Sequence, residues 1–201
     1  ESRVYPYGLY KAAWTHYNMH NPEQGLRKLE EVVTYGKFVA QNKMDARLDL
    51  RKEALGDMTL FYEDVYPAKD AYKYFQEQAG DADMGTILLK MGSLYERHSR
   101  FNDQKTVLIQ FTEKLPQSPL IPKVQTDLVM AYDALKQKNT AVRELEGLNK
   151  NCNPDGRWAK AQSEGAKAAQ ECRDNLNEIS LRLARKWLKA WKKLPSDTSY
   201  A

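Results

Sequence analysis

Apolar and small residues recur along this chain in the pattern of paired helices. Leu88, Met91, Gly92 and Tyr95 are followed by Leu108, Phe111 and Pro116. Leu128 and Tyr132 precede Ala141, Leu145 and Leu148, and Leu9, Ala12, Ala13 and Tyr17 precede Gly25, Leu29 and Val32. Steps of three and four put each set on one helical face, so each predicts a helical hairpin. A weaker copy lies between residues 46 and 80. A period in the thirties marks an array of hairpins, each too small to bury its own apolar face.

The register is checked from the small position on a first helix to that on its second, where the two helices must approach closely. Ala13 to Gly25, Gly92 to Gln104 and Val129 to Ala141 are each separated by twelve, and Leu29, Leu108 and Leu145 follow four residues further on. From Gly56 to Ala71 the separation is fifteen, with Phe75 four further on. The second copy therefore carries a longer turn, expected around Tyr62 to Pro67, where the proline disfavours helix for the residue before it.

On these landmarks the chain resembles the tetratricopeptide-repeat family, whose unit is about 34 residues of helix, turn and helix. The likeness covers roughly residues 5 to 150. Leu9 stands where the family often has tryptophan and Val129 where it often has glycine, and the spacing between copies is uneven. The fold class expected is all-α. The resemblance implies a right-handed α-solenoid of about four hairpins, at roughly 5–38, 46–80, 84–117 and 121–150, with one or two long helices over 155–194. All 201 residues are expected to form one continuous domain.

The family generally holds partner segments on a concave groove lined by first helices. Carried onto this chain, that implies a groove with Tyr7, Tyr10, Trp14, Tyr17, Asp57, Phe61, Ser93, Arg97 and Met130 among its lining residues. Tyr10, Trp14 and Tyr17 follow i, i+4, i+7 spacing and are the expected hot spot, because amphipathic aromatics bury partner surface at low entropic cost. The competing reading is that they cover the apolar end of the first hairpin or pack on a preceding repeat.

The segment after residue 150 is loosely similar to long helices of large bacterial envelope and gliding-type repeat proteins. Leu176, Ile179, Leu183, Trp187, Ala190, Trp191 and Leu194 form a stripe that predicts a helix packed along one side. The same stretch holds Arg182, Arg185, Lys186, Lys189, Lys192 and Lys193 without an acidic residue. A basic amphipathic helix suits anionic membranes or acidic partners, although the favoured reading is a solvated face. Nucleic acid is not expected, since interleaved stacking aromatics are missing.

Cys152 and Cys172 admit two readings. On one uninterrupted helix they would stand roughly 25 Å apart or more, too far for a bridge. If the chain folds back near Ser163 to Gly165, or Cys152 reaches over from its loop, a disulfide could staple the long helix to the fourth hairpin and would point to an oxidising compartment. The alternative is two free thiols.

The composition, 42% hydrophobic and 29% charged with a net charge of +4, is that of a folded helical protein. No run of eighteen apolar residues is present. Glu1 leading almost directly into a repeat reads as part of a longer protein. No phosphate-binding loop, nucleophile elbow or haem-attachment pair occurs, so no catalytic residue, metal or cofactor is expected. His16 and His20 lack the intervening glutamate of metalloproteases. Asp81 to Gly85 lacks the ligands of a calcium loop and reads as a turn and cap before Thr86.

The leading expectation is a non-catalytic scaffold that binds protein or peptide segments, in a bacterial periplasm or envelope. Cytoplasmic residence is the alternative. The rival functions are the helical superstructure of a larger enzyme and a membrane-peripheral protein acting through the basic helix.

Overall fold

The computed structural model describes residues 4–80 and 83–192 and is all-helical, with no strand among the described residues. The chain divides into two compact units, Glu1–Leu115 and Pro116–Ala201. Lys193 and Leu194, expected in the basic segment and its stripe, lie outside the described residues, as does Asp81.

The first unit holds α1 (Tyr5–Asn18), α2 (Pro22–Gln41), α3 (Arg51–Val65), α4 (Ala71–Ala79), α5 (Met84–Arg97) and α6 (Phe101–Lys114). Helices α1 and α2 form a hairpin, as do α5 and α6. Where α1 crosses α2 the backbones come so close that a Cβ on Gly25 would stand 2.9 Å from the Ala13 carbonyl oxygen and 2.6 Å from the Phe61 ring. Gly92 plays the same part against Leu108, which a Cβ there would meet at 2.7 Å. Leu26, Leu29, Phe61, Leu88, Met91 and Phe111 are all buried, and α3 packs on both α2 and α5.

The hairpin turns share one geometry. After α1 the His20 amide donates to the Tyr17 carbonyl and the Asn21 amide to the His16 carbonyl. Ser99 and Arg100 repeat both bonds after α5, to Glu96 and Tyr95. This pair of bonds needs a left-handed residue just past the helix end, and His20 and Ser99 supply it at φ 57° each. Asn21 then caps α2 by accepting from the Gln24 amide at 3.3 Å, with Pro22 opening the helix.

The expected second hairpin differs: α3 packs on α2 and α5, and α4 on α5, with α3 and α4 meeting through the rings of Tyr62, Tyr74 and Phe75. The turn between them lies later than expected. Helix α3 continues through Val65, so Tyr62 is a buried core residue and not part of the turn. Tyr66 and Pro67 are extended, at ψ 153° and 144°. A 3-10 turn over Ala68–Asp70 then leads into α4. The Tyr62 hydroxyl secures this corner by donating to the Pro67 carbonyl at 3.0 Å. The buried Glu63 carboxylate takes His98 Nδ1 at 2.8 Å and Arg100. Burial pushes the Glu63 pKa up despite these partners.

The second unit holds α7 (Ile121–Ala134), α8 (Lys138–Asn151), the single turn α9 (Arg157–Lys160) and the long α10 (Gly165–Trp191). The turn from α7 to α8 again repeats the two bonds, from Lys136 to Asp133 and from Gln137 to Tyr132, with Lys136 left-handed at φ 61°. The extension expected over 155–194 is thus one short and one 27-residue helix, with the chain folding back between them. Trp158 anchors the fold-back, buried and donating from Nε1 to the Ser118 carbonyl at 2.9 Å. Cys152, at the end of α8, is joined by a disulfide to Cys172 of α10. Arg173 also donates to the Cys152 carbonyl, at 3.0 Å.

Candidate functional site

The aromatic residues of α1 face α3. Tyr10 donates its hydroxyl to Asp57, and Trp14 donates Nε1 to the same carboxylate at 3.1 Å. One turn along, the Tyr17 hydroxyl donates to Asp64 at 3.2 Å. Burial, with the Asp57 hydrogen bond in support, raises the Tyr10 pKa. Phe61 lies beneath Trp14 and Tyr17, with ring centroids 5.2 and 4.4 Å away.

This arrangement alters the expected groove. Phe61 is fully buried and supports the surface from below, so no partner can touch it without unpacking α1. Tyr10, Trp14 and Tyr17 are half-buried with their polar tips already engaged. Tyr7 is exposed and donates to the Arg47 carbonyl at 3.0 Å. Ser93 and Met130 are half-buried and Arg97 is exposed.

A different aromatic surface is open. Tyr5, Arg27, Glu30, Glu31, Thr34, Tyr35 and Phe38 line a cleft of about 840 Å³. Tyr5 meets Tyr35 edge-on at 5.2 Å, and Phe38 lies 6.1 Å from Tyr35. Tyr5 is 50% and Phe38 41% exposed. The Tyr35 hydroxyl is shielded from solvent without a hydrogen-bond partner among the described residues. The charged rim is already used: Arg27 pairs with Glu23, Glu31 with Lys28, and Glu30 accepts from the Tyr74 hydroxyl. The cleft therefore presents aromatic surface. Its signal in the sequence is faint: Tyr35 and Phe38 stand one turn apart, off the buried stripe of Leu29, Val32, Val33 and Gly36.

In the second unit one residue of the basic stretch is engaged within the fold. Lys186 is bound to Asp133 of α7, which also accepts from Trp187 Nε1 at 2.7 Å. Arg182, Arg185, Lys189 and Lys192 are exposed. Trp191 corrects the expected stripe. Ile179 and Leu183 are buried and Trp187 half-buried against the unit, but Trp191 is 67% exposed. Eight residues after Leu183, it has turned by about 80° away from the packed face.

Asp133 is only 7% exposed. Burial alone would raise its pKa, but the bonds from Lys186 and Trp187 outweigh burial and hold it below the usual carboxylate range. We expect Asp133→Asn to cost the second unit about 2 kcal/mol at neutral pH, read by urea unfolding followed through tryptophan fluorescence. A depressed folded-state pKa stabilises above the unfolded value of about 3.9, and that stabilisation is lost as pH falls through the folded value. The gap between wild type and variant should therefore close in acid. A gap independent of pH would show that the charge contributes nothing.

Among the described residues no group of His, Cys, Asp and Glu could hold a metal ion, and no helix is long and apolar enough to cross a membrane. No protein-family model, curated protein or solved structure matches the chain. What defines it is its own architecture, a set of helical hairpins with recurring turns, one open aromatic cleft and a disulfide-tied long helix.

Proposed function

We propose that this chain is a tetratricopeptide-like interaction module, its hairpins following one another as in a right-handed α-solenoid, that holds segments of partner proteins and so assembles a complex. The observation that carries the reading is the cleft of Tyr5, Tyr35 and Phe38. Exposed, preformed aromatic surface suits a peptide that brings an apolar side chain. The shared turn geometry after α1, α5 and α7 supports a repeat origin. The disulfide between Cys152 and Cys172 supports an oxidising compartment such as a periplasm. The groove of first helices contributes less on this reading, because its aromatic tips are bonded to α3.

The test is capture of a partner from native lysate. Wild type should retain a protein that Tyr35→Ala/Phe38→Ala loses while keeping its helix content. Equal retention by both would remove the cleft from the account.

A further inference from the structure

The last three turns of α10 carry two neighbouring ridges. Leu181, Ala184, Leu188 and Trp191 follow steps of three, four and three, and Arg182, Arg185, Lys189 and Lys192 repeat those steps one residue on. On a helix the two ridges run side by side. All eight residues are exposed, with Leu181 and Leu188 at 51% and Trp191 at 67%. The opposite face holds the helix to its unit through Ile179, Leu183 and the Asp133 bonds of Lys186 and Trp187. One side of α10 is thus structural, and the other carries apolar and cationic side chains that the fold does not use.

The charge around this face has one sign. No acidic residue occurs from Ile179 to Ser196, and Glu178 is the nearest before it. The ridge cations make no ion pair among the described residues. On the other flank of the apolar ridge, Lys138 sits over the Trp187 ring, 5.6 Å from its centroid. Cations therefore border a tryptophan-tipped apolar ridge on both sides, and Asp133, the carboxylate facing Lys186 and Lys138 from α7, is buried and engaged.

We propose that this face docks the second unit on an anionic lipid surface, with Leu181, Leu188 and Trp191 entering the headgroup boundary and the four ridge cations on lipid phosphates and carboxylates. Leucine and tryptophan beside lysine and arginine is the composition of interfacial helices. A ridge about 15 Å long on a helix about 10 Å across, on the order of 150 Å², is short of the roughly 800 Å² per partner that a specific protein interface buries. An anionic membrane needs less, since each basic side chain near it strengthens binding about fivefold. A second copy of this face would bring like charges together.

The test is co-sedimentation of the oxidised full chain with phosphatidylcholine vesicles, with and without about 30% phosphatidylserine. Binding should require phosphatidylserine and fall steeply between about 0.05 and 0.3 M salt. Trp191→Ala should weaken it about tenfold and Arg185→Glu/Lys189→Glu about a hundredfold. Both variants alter exposed positions, so circular dichroism and thermal unfolding should match wild type. Three results would overturn the proposal. One is no binding to phosphatidylserine vesicles at low salt; another is binding that survives the double charge reversal. The third is charge-dependent retention by a soluble acidic protein without vesicle binding, which would assign the face to a protein partner.

Discussion

Phe61→Ala is expected to lower the stability of the first unit by about 3 to 5 kcal/mol, the range for removing a buried aromatic ring. The ring is fully buried where α1, α2 and α3 meet. It fills the space that Gly25 leaves open and carries Trp14 and Tyr17 on its face. Collapse cannot fill the hole cheaply, because Gly25 has no side chain to move and the two aromatics above are tied at their tips to Asp57 and Asp64. Amide hydrogen exchange over α1, α2 and α3, followed by mass spectrometry, reads the loss in this unit separately from the second. A loss under about 1 kcal/mol would mean that α1 does not rest on α3.

Cys152→Ala/Cys172→Ala should destabilise the second unit by about 3 kcal/mol, the chain-entropy value for a loop of this length. The bond closes a separation of 20 residues that contains the fold-back and α9, and both cysteines are buried. Without it, α10 is held by the Ile179 and Leu183 contacts, the Asp133 bonds and the Arg173 bond to the Cys152 carbonyl. The midpoint seen through Trp158 and Trp187 should drop, and dithiothreitol should reproduce the effect on wild type. A midpoint shared by oxidised and reduced protein would show that these contacts suffice.

Most helix pairs were legible in the sequence because the signals are local. Ala13 and Gly25, or Gly92 and Leu108, meet across turns of a few residues, and periodicity carries that information. The turns were less legible. Their left-handed positions hold His20, Ser99 and Lys136, none of them the glycine that usually marks such a position. The end of α3 was misplaced for a related reason: Pro67 constrains Tyr66 but says nothing about Tyr62, whose burial among Tyr66, Tyr74 and Phe75 is tertiary.

The surface was read least well. Spacing placed Tyr10, Trp14 and Tyr17 on one face of α1, but whether that face met solvent depended on Asp57 and Asp64, more than forty residues away. The cleft was missed because Tyr5 and Tyr35 come from different helices. Steps of three and four include Trp191 in the stripe, but they tolerate a drift that, over two turns, carries a side chain off the contact face. The cysteine pair could not be settled by counting, since everything turned on the break between α9 and α10.

The measurement that bears most directly on the account is partner retention from native lysate, run beside thermal unfolding, for wild type, Tyr35→Ala/Phe38→Ala and Trp14→Ala/Tyr17→Ala. The account predicts that the first pair keeps wild-type stability and loses the partner, while the second pair loses stability because it uncovers Phe61. Partner loss confined to a stably folded Trp14→Ala/Tyr17→Ala protein, with Tyr35→Ala/Phe38→Ala still binding, would contradict it and return the site to the face of the first helices.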